Sequence, residues 1–216
     1  MGGDFSDALA RVSSSLVTMA KAVREAMRQA SAALLTSNPT LAQQVTVRAA
    51  EIEVLYRVVD DRVFDLIVRR QPVADELRTA LTALQAAADL ERMGALAAHV
   101  ARATLRRHPT AAVAPELTSL FRAMATVADE LGAKIVAALA DHDPVLAGQL
   151  DGDDDAMDEL HRGLFSVMLS RDWPLGVEAA VDGALLGRYY ERYADHAVNV
   201  GHHVLSLTTG RTAEPA

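Results

Sequence analysis

What most constrains this chain is a stretch near its end that occurs twice. Tyr189-Tyr190-Glu191-Arg192-Tyr193-Ala194-Asp195-His196 follows, one hundred positions on (191 − 91 = 100), a first copy reading Asp89-Leu90-Glu91-Arg92-Met93-Gly94-Ala95-Leu96. A period of about half the 216 residues means duplication of a whole folded unit, not a solenoid of short repeats. Around the second copy, Leu186, Tyr190, Tyr193, Ala197, Val200, Val204 and Leu207 recur at steps of three and four, the period of a helix with one buried face. Glu191 and Asp195 then share a second face about 100° from that seam, the rim of a bundle. Like charges at this spacing repel by roughly 0.2–0.5 kcal/mol on a bare helix. The pair is therefore either a solvated feature or half of a cation site.

Proline punctuation sets the number of helices. From Phe5 the apolar positions Leu9, Val12, Leu16, Met19, Val23, Met27, Ala30 and Leu34 carry a first helix. Asn38-Pro39 opens a second, with Asn as N-cap and Pro at the first helical position, and Leu41, Val45, Ile52, Leu55, Val59, Val63 and Leu66 facing inward to about Arg70. Gln71-Pro72 breaks it. A third helix carries Leu77, Leu81, Leu84 and Ala88 inward and fades near Arg106. Residues 108–114, bracketed by Pro109 and Pro115 and without periodicity, read as the linker between halves. The fourth helix runs from Leu117 to Ala138. Asp143-Pro144 repeats the cap-plus-proline device and opens a fifth that continues to Val167, and Asp172-Trp173-Pro174 precedes a sixth that ends near Thr208. The expected fold is all-α, two tandem antiparallel three-helix bundles related by internal duplication, over 1–107 and 115–208, with a disordered tail at 209–216. Several glycines, among them Gly148, Gly152, Gly183, Gly187 and Gly201, fall inside helices of the second half, so that half leans harder on packing or on a ligand.

Composition narrows the chemistry. Half the residues are hydrophobic and 23% are charged, as in an ordinary globular protein. A net charge of −8, with no basic run longer than Arg69-Arg70 or Arg106-Arg107, leaves no footprint for nucleic acid. The absence of cysteine excludes disulfides, thiolate nucleophiles and zinc ribbons, so any metal site must be built from carboxylates and histidines. No stretch is long and apolar enough to insert in a bilayer, and the first residues lack a signal-peptide pattern, so a cytoplasmic location is expected.

The densest acidic run is Asp151-Gly152-Asp153-Asp154-Asp155-Ala156-Met157-Asp158-Glu159. It is not an EF-hand loop, because Ala156 stands where the turn glycine belongs and Arg162 where the bidentate Glu belongs. On a helix the useful pair is Asp154 with Asp158, again four apart. If the fifth and sixth helices are neighbours, Asp154, Asp158, Glu191 and Asp195 could face one another and hold a hard Mg, Mn or Fe ion, oxygen ligation suiting these better than Zn or Cu. A solvated acidic face is the alternative. A ferritin-like di-iron centre would need Glu-x-x-His on two helices, and Asp158-x-x-His161 has no second copy correctly placed. His202 and His203, near the end of the last helix, read as solvated rather than ligating.

The repeat, the Leu-Glu-Arg-Met-Gly and Tyr-Glu-Arg-Tyr-Ala-Asp-His-Ala segments, and the Ile52-Glu53-x-Leu55 and Met157-Asp158-x-Leu160 positions together resemble the PhoU family of phosphate-transport accessory proteins over nearly the whole chain. The resemblance implies an acid-xxx-Asp motif on the second and third helix of each bundle, together holding a metal cluster on the bundle surface. In the second half all four carboxylates, Asp154, Asp158, Glu191 and Asp195, are present. In the first, Ala49 and Ala95 replace two of them, leaving Glu53 and Glu91 as an incomplete second set. The resemblance also implies a regulator without catalytic activity. It would restrain the Pst phosphate ABC transporter at its ATPase side and, with a partner sensor histidine kinase, keep the phosphate-starvation response off when phosphate is plentiful. Such a protein would lie against the inner face of the membrane only through these partners, and a homodimer is compatible with it. The alternatives are a metal-free helical adaptor and a carboxylate-bridged metalloenzyme.

Overall fold

The computed structural model describes residues 2–209, and side chains from residue 5 to 208. The helices are α1 (Gly2–Thr36), α2 (Pro39–Arg70), α3 (Asp75–Arg107), α4 (Thr118–Asp141), α5 (Pro144–Gly148), α6 (Leu150–Met168) and α7 (Gly176–Thr209), with a 3₁₀ turn at Pro115–Leu117. Among the described residues there is no strand. The caps form as their residue types dictate. Asn38 Oδ1 accepts from the Leu41 N–H at 3.0 Å, and Asp143 Oδ1 accepts from the N–H groups of Val145 and Leu146 at 2.8 and 3.2 Å. Residues 210–216, most of the tail expected to be disordered, lie outside the described residues; Thr209 still belongs to α7.

Two expectations about the helices need correcting. The fifth helix is not continuous, because Gln149 interrupts it and separates α5 from α6. Glycines weaken the helix on both sides of the break, at Gly148 and Gly152, where an added Cβ would meet nothing within 4 Å. What fits against the break is Gly201 of α7, whose Cβ would lie 2.7 Å from Leu150 Cδ1 and 2.8 Å from the Ala147 carbonyl oxygen. The buried face of α3 also differs from the leucine stripe read from its sequence. Leu81 is 45% exposed, and the inner positions are Ala80, Ala83, Ala86, Ala87, Leu90 and Met93. Helix α3 packs on α1, α2 and α7 at once. A helix enclosed on three sides buries small residues, which let its neighbours approach, and leaves a large one at the rim.

The two bundles, α1–α3 and α4–α7, lie side by side, with α1 against α4 and α3 against α7. Both seams are antiparallel. Near the middle of α1, Arg24 donates to both carboxylate oxygens of Asp129 in α4, at 2.8 and 3.0 Å, while Leu9 and Ser13 meet Leu139 and His142 around one cavity. On the other seam, Arg107 at the end of α3 pairs with Glu178 and Asp182 at the start of α7. A single cluster of buried hydrophobic residues runs through both halves. Its largest members include Tyr190 and Tyr193; the Tyr190 hydroxyl shares a 2.7 Å hydrogen bond with Ser31 of α1, and its ring lies 6.0 Å from that of Phe121 in α4. The connection at 108–114 packs on the molecule, with Ala112 and Val113 buried.

The seam also holds a polar cluster unseen in the sequence. Asp89 of α3 bonds His196 Nδ1 at 2.8 Å and His203 Nε2 at 3.0 Å. The reading of His203 as solvated is thus corrected, and His202 is likewise paired, with Asp151 at 3.0 Å. Burial raises the Asp89 carboxyl, but the hydrogen bonds from His196 and His203 outweigh it and bring it down to about 2. A depressed carboxylate adds stability that is present above its unfolded pKa and lost as pH falls through the folded one. Asp89→Asn is therefore expected to cost roughly 1–3 kcal/mol near neutrality, the usual range for hydrogen bonds to a charged group. The difference from wild type should shrink as pH falls from about 4 toward 2, as measured by denaturant unfolding of both proteins across that range.

Candidate functional site

Helices α6 and α7 are neighbours, and glycine sets how near they come. A Cβ at Gly187 would lie 2.6 Å from Leu164 Cδ1 and 3.0 Å from His161 Cδ2, so any larger residue would push the helices apart. On this packed pair the i,i+4 spacing turns Asp154 and Asp158 of α6, and Glu191 and Asp195 of α7, toward one shared acidic region.

The charges of the four act on one another. The half-buried Asp154 is pushed up to about 6, first by burial and then by the charges of Asp195, Asp158, Glu191 and Asp155. Glu191 is raised by burial and by Asp195, against the opposing pull of Arg188. One oxygen of each, Asp154 Oδ1 and Glu191 Oε2, is buried with no hydrogen-bond partner. Glu191 Oε1 is met by Arg188, one turn earlier on α7. Asp158 and Asp195 stand exposed. Among the described residues, no three acid or imidazole side chains are placed to enclose one ion.

Two members of this region were not legible as such in the sequence. Arg188 supplies a cation, visible beforehand only as a residue three positions before Glu191. His161 lies half buried beside Gly187, its Nε2 without a partner and its pKa lowered by burial and by Arg188. The Asp158-x-x-His161 spacing was the signal for it, and it belongs to this acidic region rather than to a second Glu-x-x-His motif.

The corresponding region of the first half is chemically different. Glu53 is exposed and paired with Arg57 one turn on. Ala49 stands where the second half has Asp154, and Ala95 where it has Asp195, so Glu91 on α3 has no acidic partner at the motif spacing.

The model of the PhoU domain matches twice, over residues 16–104 and 121–204, one match per bundle. The chain belongs to the PhoU family. It is 43% identical over 206 residues to "Phosphate-specific transport system accessory protein PhoU homolog 2" of Mycobacterium tuberculosis, covering 95% of this chain and 97% of that protein. It is 41% identical over 210 residues to PhoU homolog 1 of Mycobacterium leprae, covering 97% and 95% respectively. Among solved structures, PhoU from Pseudomonas aeruginosa superposes with a TM-score of 0.85 at 27% identity, over 96% of this chain and all of the other. PhoU proteins are regulatory accessory proteins and not enzymes, which sets the metalloenzyme alternative aside.

A carboxyl whose folded pKa is raised above its unfolded value destabilises the fold when ionised, and that cost disappears as pH falls below the unfolded value. Asp154→Asn is therefore expected to raise the Tm of the metal-free PhoU protein near neutrality by about 2–4 °C, the shift of ~1 kcal/mol in a chain of this size after solvent screening. The gain should fade between about pH 6 and 4, as read by thermal unfolding in chelator.

Proposed function

We propose that this PhoU protein is an accessory regulator of phosphate transport. It restrains a Pst-type ABC transporter through contact with its ATPase side, and it signals phosphate sufficiency to a partner sensor histidine kinase, acting from the cytoplasm as a negative regulator of the starvation response. The observation that carries this reading is the family match to both bundles, joined to relatives above 40% identity over nearly the whole chain that are named for phosphate-specific transport. Among the described residues no helix is long and apolar enough to cross a membrane, which fits association through partners. Self-association into a homodimer is part of the proposal, and light scattering tests it.

The acidic region of the second half would hold a hard Mg, Mn or Fe ion through Asp154, Asp158, Glu191 and Asp195. Support comes from the two buried oxygens that lack partners and from the oxygen-only carboxylate set, which suits such ions. The bound cation would supply the positive charge that lets the four carboxylates stay ionised together. A second reading, a metal-free adaptor, is favoured by the Arg188–Glu191 pair, which already neutralises part of the charge.

Elemental analysis of protein purified without chelator separates the two. Asp158→Asn with Asp195→Asn should remove most bound metal, while Glu53→Gln with Glu91→Gln should change it little; equal losses would show that the ligands lie elsewhere. Deleting every copy of the gene should raise expression of the high-affinity phosphate transporter in phosphate-rich medium. Unchanged expression would overturn the regulatory reading whatever the metal content.

A further inference from the structure

We propose that the groove between the start of α1 and the end of α2 binds an oligophosphate anion, one with at least two linked phosphoryl groups. Four guanidinium side chains, Arg11 from α1 and Arg62, Arg69 and Arg70 from α2, line a cavity of ≈ 210 Å³ in which Asp65 is the one acidic lining residue among those described. This concentration of positive charge lies in a chain whose net charge is −8. The site is separate from the acidic region of α6 and α7 and does not rest on the function proposed above.

Arg62, Arg69 and Arg11 keep donors or charge that an anion can take up. Arg62 Nη1 donates to the Arg11 carbonyl at 3.2 Å and to the Ser15 hydroxyl. Its guanidinium is thus held in place while its Nε and Nη2 N–H groups take no part in those bonds. Arg69 meets Asp65 at 3.4 Å with both side chains more than 60% exposed, a contact that an anion can displace at little cost. The Arg11 side chain makes no hydrogen bond or ion pair among the described residues. Arginines in the last turn complement the helix dipole, which accounts for Arg69 and Arg70 but not for Arg62, two turns earlier, or for Arg11 on another helix.

The duplication supplies an internal control. Along α1 and α2 the two halves correspond at an offset set by their caps (143 − 38 = 105), so Arg11, Arg62, Arg69 and Arg70 correspond to Glu116, Val167, Pro174 and Leu175. Helix α6 stops at Met168, the counterpart of Val63, whereas α2 continues to Arg70, seven residues further (70 − 63 = 7). These added two turns carry Asp65, Arg69 and Arg70. The second half folds with none of these arginines, so the plan shared by the two halves does not require them.

Spacing selects the ligand. From Arg62 to Arg69 the helix rises about 10 Å at 1.5 Å per residue. One phosphate can be gripped by neighbouring guanidiniums, whereas a chain of phosphoryl groups can meet arginines along the length of the groove without drawing them together, each through paired N–H···O bonds. The lining contains no aromatic ring on which a base could stack, so the phosphate chain itself is the recognised element. Free inorganic oligophosphate and the phosphate chain of a nucleotide share that chemistry.

Calorimetric titration of the full chain at physiological salt, with chelator present to keep metal out of the acidic region, tests the site. Tripolyphosphate should bind at one per chain and at least about tenfold more tightly than orthophosphate or sulfate. Arg11→Gln with Arg69→Gln, both exposed positions, should weaken it about tenfold or more with an unchanged thermal transition. Arg106→Gln with Arg192→Gln should leave it as in wild type. ATP binding as tightly as tripolyphosphate would assign the site to nucleotides as well, and weaker ATP binding would assign it to the inorganic chain. Four results would overturn the proposal: no binding, equal binding by the groove variant, equal affinity for orthophosphate, or tighter binding of a hexaglutamate peptide. Should the double variant unfold, Arg70→Gln alone is read against the same criteria.

Discussion

The architecture depends on how closely α3 can lie against its three neighbours. Ala80, Ala83, Ala86, Ala87, Ala97 and Ala101 are almost wholly buried along it. Alanine loses no side-chain freedom on burial and keeps helix axes near the lower end of the 8–10 Å range. That proximity is what lets α3 serve the first bundle and the seam with α7 together. Large residues then fill the volume left at the centre, where Tyr190 and Tyr193 are enclosed and burial raises both phenols. Tyr190 has Ser31 as its partner, whereas the Tyr193 hydroxyl has none and sits 3.2 Å from where a Cβ of Gly132 would be. Joining the halves thus leaves a polar group unsatisfied at the centre, a cost that the apolar burial around it outweighs.

Because the halves share a backbone plan, their differences isolate what the fold does not require. Repulsion among the carboxylates in the second half works against stability. At the motif itself the two halves solve the same packing problem differently. Gly94 on α3 admits Ile52 of α2, whose Cγ2 would lie 3.0 Å from an added Cβ, whereas on α7 the close approach to α6 is made at Gly187. Packing at the motif is thus conserved in kind while its charges diverge.

Much of this was legible beforehand, and what was not has a common cause. The repeat and the cap-plus-proline pairs at Asn38-Pro39 and Asp143-Pro144 mark helix starts through short-range chemistry, and those starts hold. Glu191 with Asp195, and Asp154 with Asp158, follow from helical spacing alone. The alanine face of α3 was hidden because hydrophobic periodicity weighs leucine above alanine, and only the number of neighbouring helices decides which of them is enclosed. The Asp89–His196–His203 cluster was invisible because its members are 107 and 114 positions apart and no period connects them. The break at Gln149 depends on the fit of Gly201 from α7, again a contact between distant segments.

On the metal-binding reading proposed above, the second half would be the one to respond to a cation. Its acidic helix α6 begins at a break, has glycines with no packing role on either side of that break at Gly148 and Gly152, and carries Asp154 against three other motif carboxylates. Each feature lowers local stability and none is repeated in the first half, where Glu53 is offset by Arg57 and α2 runs unbroken through the equivalent turns. A charge placed among those carboxylates would relieve repulsion where the helix is weakest, and its effect on the fold would be largest there. Because α7 also forms the seam with α3, tightening α6 against α7 would act on the helix that joins the two halves. An acidic pair on α2 and α3 would reach the same seam through α3, but the unbroken turns of α2 leave little local instability to relieve.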